Sequence, residues 1–302
     1  MNWFAEWLTG RQQRVALNGQ FSDWSEVLSG IPQGTVGGPL GFIIFINDID
    51  HEVDLDPSQS IISKFADDSK AGRTITCEAD RLKMQKDINC LVAWADKWQM
   101  NFNADKCKII HFGRNNPQYQ YTLGTTQLNS TQSEKDVGVY IQNNLKPSLQ
   151  CEKAAKKANS VLGQMYRAVT YREKNVWIKL YKTYVRPHLE YCVQAWSPWT
   201  VHDIQLLEKV QERAVKMVTG LKSRTYQERL SEIGLLSLED RRTRGDMIMV
   251  WKIMNGKVDV LPSTYFERFD ENAKQTRIAS DPMNIRKPQF NLEIQLLLYS
   301  SY

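Results

Sequence analysis

The hydrophobic period of this chain changes near residue 150, and that change divides what it can fold into. From Cys151 onward, Ala154, Ala158, Val161, Leu162, Met165 and Val169 recur on one face of a 3.6-residue repeat. Lys153, Lys156, Lys157 and Arg167 fall largely off that face. Val176–Trp196 continues helical, with a boundary or kink at Pro187, because proline disfavours helical backbone in the residue before it. Ile204, Leu207, Val210, Ala214, Met217 and Leu221 make a further stripe, with Lys209, Arg213 and Lys216 together on another face. Ser237 with Asp240 resembles a capping box and opens a helix that ends near Gly256.

Before residue 150 the pattern is shorter and mixed. Gln12–Leu17 and Phe21–Leu28 flank Asn18-Gly19, a pair that tolerates the positive φ of a tight hairpin turn. A Gly/Pro-rich loop, Ser29–Gly38, leads into the apolar run Pro39–Ile46. Ile61–Ala66 has strand length and character, and Asp67-Asp68 falls where such a strand turns. Thr76 with Glu78 marks a helix start, after which Met84, Ile88, Leu91, Val92 and Ala95 bury one face up to about Trp98. Asn101–Phe112 returns to strand-like composition. The expected class is α+β: a sheet-and-helix unit over residues 1–147, a basic helical unit over 148–260, and an irregular tail over 261–302 that yields no assignable element.

Composition excludes several classes. With 302 residues, 42% hydrophobic and 24% charged, the chain is ordinary globular material. Val27–Asn47 carries no charge, but Gly30, Pro32, Gly34, Gly37, Gly38 and Pro39 break any spanning helix there, so no membrane partner is expected. No basic-then-apolar leader opens the chain, and the five cysteines are scattered without a CxxC pair, which fits a reducing, intracellular compartment and no zinc site. The formal net charge of +5 is unevenly spread: residues 151–260 hold 20 Lys+Arg against 12 Asp+Glu. A polyanion, if one docks, docks there; the same lysines also serve simply to solvate helices.

The acidic doublet raises the sharpest question. Adjacent aspartates at a strand end can hold a hard divalent cation when phosphates supply the remaining oxygens, although Asp-Asp is also common in turns. The surrounding segments resemble one known family. "WLTGRQQRVALNGQFSDWSEVLSGIPQGTVGGPLGFIIFINDID", "SKFADDSK" and "WADKWQMNFNADKCKIIHFGRNN" are similar, in that order, to a non-LTR (LINE-type, jockey-like) retrotransposon reverse transcriptase. "EKDVGVYI", "AAKKANSVLG", "VRPHLEYCVQAWSP", "LEKVQERAVKMVTGL" and "YQERLSEIGLLSLEDRRTRGDMI" continue it, so the likeness covers nearly the whole chain.

The resemblance implies an RNA-directed DNA polymerase with a palm followed by a helical thumb-like region, acting on RNA template, DNA primer and dNTP. It implies two Mg2+ ions, with Mn2+ an alternative, held through Asp67 and, less directly, Asp68. It places Ser29, Gly30, Pro32, Gln33 and Gly34 of "SGIPQG" under template and incoming nucleotide. Glycines there let backbone approach a base pair, and Gln33 offers both donor and acceptor. It places Lys106 of "NADKCK" near the triphosphate, where a cationic amine can stabilise or protonate the leaving pyrophosphate. Asp136–Val139, "DVGV", resembles the start of a primer-holding hairpin. Lys153, Lys156, Lys157, Lys209, Arg213 and Lys216 then face nucleic-acid phosphates by neutralisation and counterion release.

There are departures from the family pattern. A palm site also takes an aspartate from a strand that in the family precedes "WLTGRQQRV", and no such strand stands in this sequence. Asp48, Asp50, Asp54 and Asp56 are the nearby acids and are not expected to replace it. Gly37 and Gly41 stand where the family has large apolar residues, which should loosen that segment. The expectation is a polymerase piece, truncated at its start and inactive alone. A non-catalytic nucleic-acid-binding remnant and a poorly folding product remain beside it. The sequence is silent on oligomeric state and compartment; a nuclear address suits the ancestry, but no compact basic run marks one.

Overall fold

The computed structural model describes residues 2–49, 60–113, 115–268, 285–286 and 295–301. Asp50, Asp54 and Asp56 lie outside them. The chain forms two compact units, one of Met1–His111, Asn115–Thr131 and Ile294–Tyr302, the other of Phe112–Arg114 and Gln132–Glu293.

The first unit opens with helix α1 (Asn2–Leu8) and four two-residue strands, β1 (Gln12–Gln13), β2 (Ala16–Leu17), β3 (Gln20–Phe21) and β4 (Ser25–Glu26). β2 pairs with β3 and β1 with β4, both antiparallel, around a turn in which Asn18 and Gly19 have φ of 50° and 78°. This is the hairpin that Asn-Gly dictates. Helix α2 (Gly37–Ile46) follows. Its glycines do not loosen it, contrary to what their composition suggests. A Cβ on Gly37 would lie 3.2 Å from Trp7, and one on Gly41 would lie 2.9 Å from Phe4. The missing side chains let the aromatic residues of α1 rest directly on the α2 backbone.

Strands β5 (Ser60–Phe65) and β6 (Asp68–Thr74) form the next hairpin, followed by helix α3 (Glu78–Lys97) and strand β7 (Lys108–His111). β8 (Thr122–Leu123) and β9 (Thr126–Gln127) pair with each other, and β10 (Asn129–Thr131) pairs parallel with β7. α3 turns its apolar face onto the sheet. Met84, Ile88, Leu91, Trp94 and Ala95 are buried together with Ala71, Ile75, Cys107 and Ile109. Met84, Ile88 and Ile109 are at most 1% exposed, and burying a side chain of this size contributes about 1.5–3 kcal/mol.

Two polar devices fix α3. At its start Asp80 accepts from the Thr76 amide (2.9 Å), the Thr76 hydroxyl (2.6 Å) and the Cys77 amide (3.2 Å). The helix therefore begins as the sequence indicates, but Asp80 rather than Glu78 caps it. At its middle Asp87 meets Arg73 of β6 at 3.0 Å with both side chains at most 5% exposed, and Ser60 of β5 donates to the same carboxylate at 3.1 Å. This buried pair ties helix to sheet and has no hydrophobic signature in the sequence.

The second unit begins with β11 (Ser133–Asp136) and β12 (Val139–Gln142), an antiparallel hairpin. Then come α4 (Ser148–Ala168) and α5 (Lys174–Leu180), a π-helical turn over Tyr181–Val185, α6 (Pro187–Glu190) and α7 (Val193–Trp196). α8 (Val201–Lys216), α9 (Tyr226–Ile233), α10 (Leu238–Met254) and α11 (Pro262–Tyr265) complete the helices. The Val176–Trp196 stretch is divided at Pro187, which begins α6, but contrary to the expectation Arg186 before it keeps helical φ and ψ of −59° and −36°, following the π-helical turn; Cys192, at φ 52°, ends the run before α7. Ala154, Ala158, Leu162 and Met165 of α4 pack with Leu207, Val210 and Ala214 of α8, the two stripes read from the sequence.

A buried polar chain locks the helices. Tyr181 donates to Gln211 (2.8 Å), Gln211 donates to Tyr226 (3.0 Å) and to the Leu236 carbonyl (3.1 Å), and Tyr226 donates to Glu208. Glu208 then accepts from the Leu238 amide (3.1 Å) at the first turn of α10. Burial and the Glu208 carboxylate push the Tyr226 hydroxyl far above the ordinary phenol range, so it stays a donor.

Beyond α11 the tail is not wholly irregular. β13 (Glu267–Arg268) pairs with β14 (Ile285–Arg286), and β15 (Gln295–Ser301) joins the first unit. The five-stranded sheet has the order β10-β7-β15-β6-β5, and β15 runs antiparallel to both its neighbours.

Asp87→Ala should cost about 3–5 kcal/mol in urea unfolding, because it removes one partner of a buried ion pair. The Arg73→Met/Asp87→Leu double variant should recover most of that loss. Asp80, lowered from 3.8 to about 2 chiefly by the Thr76 hydroxyl, stabilises α3 fully above about pH 4 and loses this effect as pH falls through about 2. The melting-temperature gap between wild type and Asp80→Asn should therefore close between pH 5 and pH 2.

Candidate active site and nucleic-acid interface

The β5–β6 hairpin closes with a two-residue loop. Phe65 pairs with Asp68, leaving Ala66 and Asp67 at the tip. Ala66 takes a φ of 52°, a left-handed conformation that costs a residue with a Cβ about 1–2 kcal/mol. The tightness of the turn sets Asp67 out into solvent, while Asp68, half-buried, opens β6. The doublet thus stands at a strand end, as its sequence context requires.

Lys106 is exposed on the turn that precedes β7. Its amide and that of Cys107 donate to the Asn103 carbonyl at 3.0 and 3.1 Å, which curls the chain before the strand begins. Register locates this turn relative to the doublet. Tyr299 of β15 is level with Lys70 on one side and Lys108 on the other, and Ser301 is level with Asp68. β6 and β7 therefore run parallel on either side of β15 and start at the same end of the sheet. The hairpin tip and the Lys106 turn stand there two strand spacings apart, about 10 Å.

The loop Ser29–Gly34 is shaped by two left-handed glycines, Gly30 at φ 81° and Gly34 at φ 76°. Arg11 donates to the Gly30 carbonyl, and Thr35 donates to the Pro32 carbonyl at 2.9 Å. Gln33 and Gly34 form an exposed turn, with Ser29 and Gly30 exposed before it and Pro32 half-buried. From this loop α2 runs back to the sheet, where Lys64 of β5 donates to the Asn47 carbonyl at 3.1 Å. The loop stands roughly 15 Å along the helix axis from that contact. The fold thus brings the doublet and Lys106 to one end of a sheet and connects the glutamine loop to it through a helix.

Which groups could hold a cation follows from donor chemistry. Asp67 and Asp68 offer hard oxygens suited to Mg2+ or Mn2+. Among the described residues they are not joined by a third acidic, histidine or cysteine side chain in one cluster. Asp48 is committed elsewhere, accepting from the Trp94 indole at 3.1 Å.

In the second unit, "DVGV" is a tight hairpin end. Val137 and Gly138 take φ of 42° and 89°, and Tyr191 donates to the Val137 carbonyl at 3.0 Å. A Cβ on Gly138 would sit 3.0 Å from the Tyr191 ring, so the glycine is required by that seat. The basic residues form a surface of α4 and α8. Lys153, Lys156 and Lys157 of α4 and Lys209, Arg213 and Lys216 of α8 are all exposed. Arg213 donates to Asn159 at 3.2 Å, and Asn159 is one helical turn from Lys156, so the two clusters adjoin. Lys153 lies over the Tyr140 ring at 5.6 Å, a contact the helical pattern did not reveal because Tyr140 comes from β12. No helix among the described residues is long and apolar enough to cross a membrane.

Comparison with known proteins gives the same direction. Residues 1–164 match the family described as reverse transcriptase (RNA-dependent DNA polymerase). The chain is 24% identical over 221 residues to a probable RNA-directed DNA polymerase from transposon X-element of Drosophila melanogaster, covering 71% of this chain and 24% of that protein. It is similarly 24% identical to the RNA-directed DNA polymerase from mobile element jockey of Drosophila funebris, covering 70% of this chain and 24% of that protein. The jockey polymerase of Drosophila melanogaster is 21% identical over the same length. The chain therefore spans about a quarter of the length of these relatives. No solved structure matches it. With more than half its length matched by that family's model, this chain belongs to the reverse transcriptase (RNA-dependent DNA polymerase) family.

Proposed function

We infer that this chain carries the metal-binding hairpin and the duplex-tracking helices of an RNA-directed DNA polymerase. Alone it binds a primer–template hybrid without extending it. The observation that carries this reading is the register that sets the doublet hairpin and the Lys106 turn at one end of the first unit's sheet. Residues 1–147 act as the palm and 148–260 as the thumb-like region.

Each residue has a definite task in this reading. Asp67, exposed at the tip, and Asp68 beside it would hold divalent metal. The chemistry such a metal would supply is activation of a primer 3′-hydroxyl and charge neutralisation at the pyrophosphate. Lys106 holds a positive charge, and a transferable proton, towards that pyrophosphate. Gln33 presents an amide to the template nucleotide, and Gly30 and Gly34 keep its loop narrow enough for close approach. Lys153, Lys156, Lys157, Lys209, Arg213 and Lys216 neutralise phosphates along the duplex.

Positioning governs rate in such a site, and among the described residues no third acidic, histidine or cysteine side chain joins the doublet to position metal. Primer extension on an RNA template with Mg2+ or Mn2+ should therefore give no product with this chain. Template-dependent product that disappears in Asp67→Ala would refute the inactive reading.

Binding should nevertheless occur. Affinity for an RNA–DNA hybrid should fall steeply from 50 to 200 mM salt. The Lys209→Glu/Arg213→Glu/Lys216→Glu variant should bind at least about ten-fold more weakly at low salt and with a shallower salt slope. Affinity that ignores salt, or that survives charge reversal, contradicts the assignment of this surface.

A further inference from the structure

One cluster of nucleophile and base lies outside the doublet and the basic helices. Among the described strands, β10 has β7 on one side in the sheet and no strand on the other. Ser130 of β10 is level with Ile109 of β7, and His111 stands two residues further along β7. Residues two apart share a face of a strand, so Ser130 and His111 meet, with Ser130 Oγ 3.1 Å from His111 Nε2. Ser130 is exposed, while His111 is only 8% exposed. The Asn116 side chain hydrogen-bonds the same imidazole and favours its protonated form, which makes the amide oxygen the acceptor. That oxygen also accepts from the Gln118 amide at 2.9 Å, which fixes its direction. A ring that donates to Asn116 through one nitrogen can accept from a hydroxyl through the other.

We propose that Ser130, His111 and Asn116 form a nucleophilic triad that takes an acyl group from small activated esters. An exposed hydroxyl, a base within hydrogen-bond reach and a third group orienting the base are the parts that activate a serine. Ser130 Oγ bonds the ester carbonyl carbon and passes its proton to His111 Nε2. The bond to the leaving alcohol oxygen breaks, and that oxygen takes the proton from His111. Water then adds to the same carbon, its proton passing through His111 back to Ser130 Oγ, and the acid departs. Burial holds the His111 imidazole below its ordinary range, so at neutral pH it can accept a proton. Alternate amides of a strand point to opposite sides, so the amide of Ser130 or of a neighbour points away from β7, towards a developing oxyanion. Asn116 is a positioning residue. This inference does not depend on polymerase activity or nucleic-acid binding.

The test labels the full chain with a fluorophosphonate probe, which stops at the first step: Ser130 Oγ bonds phosphorus, fluoride leaves, and the proton passes to His111. Peptide mass spectrometry should find the adduct on Ser130. His111→Gln should slow its formation at least about a hundred-fold, with a cooperative thermal melt as the folding control. Asn116→Leu should slow it at least about ten-fold, and Asn116→Asp, which keeps an acceptor at that place, should restore it. A hydrogen bond that merely ties β10 to β7 produces no adduct. Absence of the adduct from Ser130 in the intact chain overturns the proposal, as does an adduct that forms at the same rate in His111→Gln. Should His111→Gln fail to fold, the two Asn116 variants decide: equal rates in both overturn it.

Discussion

The backbone of β6 is the constraint on which the first unit rests. One edge of this strand is satisfied by β5, the other by β15, and its Arg73 is neutralised by Asp87 of α3. Removing one partner of a buried ion pair is strongly destabilising. The pair therefore fixes where α3 lies, and α3 in turn covers the core of the sheet. The doublet begins this same strand, so its position is inherited from the sheet and not from the mobility of a loop.

The second unit rests on a different kind of bond. Its helices share an apolar interior, but the chain Tyr181–Gln211–Tyr226–Glu208 picks out one arrangement of α8, α9 and α10, because each buried polar atom has its partner only there. Burial of Cys151 among these helices pushes its thiol up to about 12, which leaves it a packing residue and not a reactive one. Outside this interior Lys153, Lys156 and Lys157 of α4 and Lys209, Arg213 and Lys216 of α8 lie exposed.

Much of this was legible in the sequence because local chemistry determined it. Asn18-Gly19 specified a hairpin turn, Ser237 an α10 cap, and the stripes of α4 and α8 their buried faces. The doublet at a strand turn was legible for the same reason. Long-range effects were not. Gly37 and Gly41 read as loosening until Trp7 and Phe4 are seen against them. Arg73 and Asp87 look like surface charges until β6 and α3 are brought together. β15 could not be read at all, because a strand's place in a sheet depends on the edges waiting for it, and these lie more than 180 residues away in sequence.

The central claim is that the Asp67-Asp68 tip and the Lys106 turn share one end of one sheet. Paramagnetic broadening of backbone amide signals by Mn2+ tests it most directly. The account predicts that substoichiometric Mn2+ broadens residues 65–69 most strongly and residues 105–108 next, with both effects lost in Asp67→Ala. Broadening of the hairpin that leaves residues 105–108 sharp, or broadening that is indifferent to Asp67, would contradict it.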